Sequence, residues 1–366
     1  MASLDQSRVP AWSWIAPVAA LLLLALNFSG ALQAEHALVL ALAVALLGGT
    51  VFSAVHHAEV LALRLGEPFG SILLAVAVTV IEVALIVSVL ITDSPGSETI
   101  ARDTVYAAVM LVLNGVVGLC LVFGAGRHGE QSFQVRGAAA TLAVLGTLAT
   151  FALVMPNFTQ AVAGGAYAPA QLLVVGAVSL VLYAVFVFVQ TVRHREYFLD
   201  AGAAELPLPN AEIPSPRMTG LSFGLLAMAL VGVVLLAKIL SKPLDHMIGA
   251  AGLPHSLVGV VIASVVLLPE GMSAMKAALA NRLQTSINLA LGSALASIGL
   301  TIPSVAVVSL VIGRPLTLGL PSEDMVLLVL TLFVSTLTLG NGRTTVLQGA
   351  VHLVILAIFL LLSVIP

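Results

Sequence analysis

Charge is scarce in this chain. Asp, Glu, Lys and Arg make up 8% of its 366 residues, against roughly 25% in an ordinary soluble domain. Aromatic residues are thin at 5%, and cysteine occurs once, at Cys120. A single cysteine excludes an internal disulfide and any thiolate metal cluster. With 14 basic and 17 acidic side chains, net −3, there is no positive footprint for a polyanion, which excludes a nucleic-acid binder. What fills the chain is apolar: 60% hydrophobic residues and a mean hydropathy of +1.14. A soluble fold of this length lacks the polar surface to cover that, so soluble enzymes and disordered chains are excluded too. The composition is that of a polytopic membrane protein.

A helix needs about 20 apolar residues to cross the hydrocarbon core. Inside it every backbone amide must be bonded internally, which favours helices here over weakly alternating barrel strands. Eleven runs qualify: 12–32, 37–56, 69–91, 103–125, 136–156, 170–190, 219–240, 253–279, 285–312, 324–339 and 343–365. The breaks hold charge and turn formers, such as TDSPGSE at 92–98 and GAGRHGEQ at 124–131. The first run reads as a retained helix rather than a signal peptide, because Arg8 beside Asp5 is a weak n-region and ALQA at 31–34 a poor cleavage site.

Lys and Arg set the orientation. With a cytoplasmic N-terminus, ten fall inside (Arg8, Arg64, Arg127, Arg136, Arg193, Arg195, Arg217, Lys276, Arg282, Arg343) and four outside (Arg102, Lys238, Lys242, Arg314), placing the C-terminus outside. The stretch 193–217 carries Glu196, Asp200, Glu205, Glu212 and prolines at 207, 209, 214 and 216. It is too polar to span and too proline-rich for one long helix. The expected organisation is an accessory N-terminal transmembrane helix (1–35), a first five-helix repeat (36–192), a cytoplasmic acidic, proline-rich linker (193–218) and a second five-helix repeat (219–366).

Away from the helix ends, two carboxylates fall deep inside predicted spans: Glu82 in SILLAVAVTVIEVALIVSVL and Glu270 in LVGVVIASVVLLPEGMSAMKAAL. An ionised acid at that depth costs about 2.5–3.5 kcal/mol on insertion scales. Such a cost persists only where a cation, a partner or water compensates it, and in a medium of low polarity a carboxyl group otherwise favours its neutral, protonated form. Lys276, six residues past Glu270, lies near the helix end, where it snorkels. Sixteen residues upstream stand Gly66 and Pro254, and both segments pass through Ser or Gly and a β-branched stretch into the acid. Glu82 lies in the third span and Glu270 in the eighth, so the two helices enter from opposite faces. That is the arithmetic of an inverted repeat with a site near the midplane. Small residues follow each acid-bearing helix: Asn114, Gly115 and Gly118, then Gly292, Ser293, Ser297, Thr301 and Pro303. They suit close helix packing and cation coordination alike.

Four stretches now resemble a known family, the calcium/proton exchangers of the cation/calcium antiporter superfamily, and within it the bacterial ChaA-type branch of Ca²⁺(Na⁺,K⁺)/H⁺ antiporters. AEVLALRLGEPFGSILLAVAVTVIE (58–82) resembles the first α-repeat and PEGMSAMKAALANRLQTSINLALGSALASIGLTIP (269–303) the second. GAGRHGEQSF (124–133) and GNGRTTVLQGAVHLVILAI (340–358) resemble the loop after the following helix and the closing helix. The likeness runs from about residue 36 to the C-terminus. It implies that Glu82 and Glu270 are exchanging carboxylates that hold Ca²⁺ or protons by turns, in a bacterial inner membrane, with no cofactor. The family places Gly-Asn four and three residues before each acid; here those positions are Val78-Thr79 and Val266-Leu267. The His expected after the second acid is Gly271, and the Gln expected after the GSA of the second repeat is Ala296. Fewer side-chain oxygens than in calcium-specialised members leave Na⁺ and K⁺ open beside Ca²⁺.

Ca²⁺ takes six to eight oxygens. The expected donors are Glu82 and Glu270, supported by Thr79, Asn114, Ser293 and Ser297 and by carbonyls that Pro269 frees from helical bonding. His56, His57 and Glu59 fall at the predicted cytoplasmic end of the second span, where they read as an interfacial polar cluster or an access funnel. His352, alone in the last span, reads as a satisfied buried histidine, and His128, Glu67, Glu323 and Asp324 as loop or solvated groups. The partners are inorganic cations, protons and the bilayer. The competing classes are a primarily Na⁺(K⁺)/H⁺ antiporter, an intramembrane enzyme and a passive channel; no HExxH or Gly-x-Gly-Asp motif supports the enzyme.

Overall fold

The computed structural model describes residues 10–30, 37–66, 69–91, 96–200 and 214–366. Arg8, Glu67, the 31–34 segment and the linker residues Glu205, Pro207, Pro209 and Glu212 lie outside them. Among the described residues, eleven helical stretches are long and apolar enough to cross a membrane, and the protein is an all-α polytopic membrane protein. Two predicted helix ends are corrected, and one is the seventh span's: expected to stop at residue 240, it continues as helix to Ala250. The second span was expected to stop at His56, but the helix continues to Leu65, so His56, His57 and Glu59 lie within it rather than at its end.

Two compact units divide the helices, and each draws on both sides of the 193–218 segment. The first contains α1 (Ala11–Phe28), α2 (Ala37–Leu65), α3 (Phe69–Leu90) and α8 (Pro216–Ala250). Its apolar end joins Leu23 and Leu24 of α1, Val39 and Ala43 of α2, and Leu236 and Leu240 of α8. Its other end is joined by a carbonyl. Pro17 sits inside α1 and has no N–H to give the carbonyl of Ser13 one turn earlier. Two side chains of α2 replace that donor: the Ser53 hydroxyl, and His57 Nε2 at 3.1 Å. The Ser222 hydroxyl of α8 then donates to His57 Nδ1 at 3.2 Å. A helix-breaking residue thus becomes the docking point of α1.

The second unit contains α4 (Ile100–Met110) and α5 (Val117–His128), joined without a break by a π-helical turn at Leu111–Val116. It adds α6 (Val135–Ala149), α7 (Pro169–Phe188) and α9 (Ser256–Leu279). Next come α10 (Leu283–Ala296) and α11 (Ile302–Ile312), joined by a second π turn at Ser297–Thr301. Finally come α12 (Ser322–Leu339) and α13 (Val346–Val364). The fifth and sixth spans also carry π turns, near their ends at Thr150–Val154 and Val189–Arg193, whereas those of the fourth and ninth fall in mid-span, at equivalent places in the two predicted repeats. α5 packs on α13, and the π turn and α11 of the ninth span pack on α7. Two short antiparallel pairings repeat the same relation. β1 (Gln131–Ser132), after the fourth span, pairs with β2 (Arg343–Thr344), before the eleventh. Ala166, before the sixth span, bridges Thr317, after the ninth. The pairings sit at opposite ends of α6, as equivalent loops of an inverted repeat should.

Candidate functional site

Glu82 is buried, with 3% of its surface exposed, and is the one charged residue of α3. Thr79, one turn earlier and also buried, gives its hydroxyl to the Ala75 carbonyl at 2.8 Å. Glu270 is half-buried in α9, directly after the buried Pro269. Pro269 leaves the Val265 carbonyl without its helical donor, which supplies a backbone oxygen one turn from the acid. Glu82 stands in the fourth turn of α3, counted from Phe69, and Glu270 in the fourth turn of α9, counted from Ser256. At 1.5 Å per residue both acids are about 20 Å along their helices. The step in sequence from Glu82 to Glu270 is two residues longer than the step from Leu111 to Ser297, where the two mid-span π turns begin.

The predicted site residues divide between the units: Thr79 and Glu82 in the first, Asn114, Pro269, Glu270, Ser293 and Ser297 in the second. Within the second unit, α9 packs along α4 and the first π turn. A Cβ added at Gly271, next to Glu270, would lie 3.3 Å from Val116 Cγ2 at the end of that turn. Ser297 opens the second π turn and is buried, and Ser293 is half-buried one turn earlier on α10, which also packs on α9. Asn114 faces another way. Its Nδ2 donates to Thr331 Oγ1 of α12 at 2.9 Å, and its Oδ1 accepts from His352 Nδ1 of α13 at 3.0 Å. His352 Nε2 accepts from the Thr338 hydroxyl at 3.2 Å, and Thr331 Oγ1 reaches Met110 Sδ at 3.4 Å. All four polar residues are buried. His352 is therefore a satisfied buried histidine, as its isolation in the sequence suggested. Its bond to Asn114, which belongs to a span in the other half of the chain, left no sequence signal.

His57 is fully buried in the α1–α2–α8 junction, the His56 ring is tilted at 57° to Trp12 of α1 with centroids 5.2 Å apart, and Glu59 is exposed on α2. A buried acid that the sequence placed at a helix end is Asp103, held by Arg102 Nε at 2.7 Å and by the Thr99 hydroxyl at 2.8 Å. Gln131 of β1 donates to the Ala278 carbonyl at 2.9 Å and to Asn281 Oδ1 at 3.0 Å, and His128 Nε2 donates to the Leu279 carbonyl at 3.0 Å. Three of the stretches that carry the family resemblance thus meet where α9 turns into α10. Among the described residues no group of three or more His, Cys, Asp or Glu side chains is placed to hold a metal. Hydroxyls and backbone carbonyls are the other oxygens at hand.

Eleven helices of this length and composition define a multi-pass membrane protein. Residues 35–192 and 221–365 match the family model of the sodium/calcium exchanger protein, and the chain belongs to that family. It is a cation exchanger, not an enzyme. It is 57% identical, over 98% of each chain, to y4hA of Sinorhizobium fredii, which carries the name of an ionic transporter. It is 34% identical, over 95% of each chain, to the sodium-potassium/proton antiporter ChaA of Escherichia coli. Its fold is similar to that of the Ca²⁺/H⁺ antiporter protein YfkE, with a TM-score of 0.73 at 16% identity, covering 97% of this chain and 99% of that one.

Proposed function

We propose that the protein is a secondary active antiporter that exports Ca²⁺ in exchange for H⁺, with Glu82 and Glu270 as the carboxylates of a midplane site that cation and proton occupy by turns. The observation that carries this reading is the matched distance of two acids, one buried and one half-buried, along helices otherwise almost free of charge. A carboxylate there is stable with a bound cation or with a proton, and costly bare. One set of acids with two competing ligands couples their gradients, since protonation removes the charge that holds the cation. The Val265 carbonyl, Thr79, Ser293 and Ser297 are the supporting oxygens of this reading, and Asn114 supports the wall of its own helix. The protein would lie in a bacterial inner membrane with its N-terminus in the cytoplasm.

A second reading, primarily Na⁺(K⁺)/H⁺ exchange, has its own support. Val78-Thr79 and Val266-Leu267 stand where calcium-specialised members carry Gly-Asn, and the relative ChaA is named for sodium, potassium and protons. Dissipation of ΔpH in everted vesicles, on adding CaCl₂, NaCl or KCl separately, tests both. Glu82→Gln and Glu270→Gln are each expected to abolish every cation-dependent signal at normal membrane abundance. Full exchange by either variant would refute the site, and a signal with NaCl or KCl but none with CaCl₂ would select the second reading.

A further inference from the structure

We infer that His352 is a positioning residue for exchange: it orients the Asn114 amide and thereby holds the π turn Leu111–Val116, whose far side packs beside Glu270. This rests on the exchange role proposed for Glu270. A π turn carries one residue more than the α-helix it interrupts, has poorer hydrogen bonds, and persists only where its surroundings fix it. Asn114 sits in the middle of this one, fully buried, and both polar ends of its amide are bonded to other helices. Of the two anchors, Thr331 can rotate its hydroxyl, whereas the His352 ring is held at both nitrogens by Asn114 and Thr338.

The histidine is also held from below. α5 and α13 approach so closely that a Cβ on Gly118 would lie 3.1 Å from His352 Cβ, and one on Gly349 would lie 2.7 Å from the Gly118 carbonyl oxygen. Gly118 stands two residues beyond the π turn, so the contact that seats His352 also seats the end of that turn. Because Asn114 Oδ1 can only accept, Nδ1 carries the ring proton and Nε2 accepts from Thr338. The chain Thr338, His352, Asn114, Thr331, Met110 therefore has a single donor direction, and losing the ring leaves the amide free to turn. On the opposite side of the span, Val116 packs on Gly271. A shift of the turn is thus delivered to the residue next to Glu270.

The test compares His352→Ala, His352→Gln, Asn114→Ala and the double variant Asn114→Ala/His352→Ala in reconstituted vesicles, reading half-saturating cation and maximal rate separately. His352→Ala is expected to raise the half-saturating concentration about tenfold, the scale on which outer partners tune a cation site, with a much smaller change in maximal rate. His352→Gln, whose amide can still donate to Asn114 Oδ1, should recover most of the loss, and the double variant should be no worse than Asn114→Ala alone. Unchanged half-saturation in His352→Ala, even with a lowered melting temperature, overturns the inference, as do additive losses in the double variant. Failure of the Glu270 reading is distinguishable: Glu270→Gln would then retain exchange, while non-additivity of His352→Ala and Asn114→Ala in melting temperature would persist.

Discussion

A proline inside a transmembrane helix usually marks a kink; Pro17 marks a joint. The carbonyl it releases at Ser13 takes hydrogen bonds from Ser53 and His57 of the neighbouring helix. Ser53→Ala should therefore lower the stability of the detergent-purified protein by about 1 kcal/mol, the usual worth of such a bond. Restoring the amide with Pro17→Ala should shrink that cost, because Ser13 regains an internal donor; equal costs in both backgrounds, measured by denaturant or thermal melting, would refute the joint. At this scale the sequence was partly legible. Glu82 and Glu270 stand out because so little else in their helices is charged, and the cost of burying an acid is a local property of the chain. The Asn114–His352 and Ser13–His57 pairs were invisible because each joins residues far apart in sequence, and only packing chooses the partner.

Between residues and molecule stand the helices, where hydropathy located all eleven spans and stopped two of them short of their helix ends. The polar residues His56, His57 and Glu59 end the apolar run of the second span. The helix continues because its neighbours absorb their polarity: Ser13 and Ser222 bond His57, and Trp12 covers His56. The π turns were equally beyond reach, although the small residues noted after each acid-bearing helix mark the two that fall in mid-span. Close packing of α5 on α13 sets a further expectation. In Gly349→Ala the new methyl group would meet the backbone oxygen of Gly118 and the backbone nitrogen of Val122, each at 2.7 Å. Backbone cannot yield as a side chain can, so a loss of about 1–3 kcal/mol is expected in melting experiments. A neutral substitution would show that the helices are not in contact there.

For the whole molecule, two partitions coexist. The sequence repeats predict two consecutive groups of five spans, whereas compactness joins α8 to the first three helices. The second partition depends on which faces meet and has no local sequence signal. Strand pairing inside the second unit gives it a test. Ser132 and Arg343 are exposed cross-strand partners, at a separation that antiparallel pairing makes suitable for a disulfide, and the native Cys120 is buried. Ser132→Cys/Arg343→Cys should therefore cross-link on oxidation and leave exchange intact, since both ends belong to one unit; loss of exchange that reduction restores would show that this unit rearranges internally during transport. Competition at the acids also predicts that half-saturating cation rises as pH falls, by about tenfold per pH unit for each proton displaced.

Proton release on cation binding tests that competition most directly. Purified protein in weakly buffered detergent solution with a pH-sensitive dye should acidify the medium when its transported cation is added, and Glu82→Gln and Glu270→Gln should each abolish the signal. Binding of the cation without proton release, or unchanged release from either variant, would contradict the account.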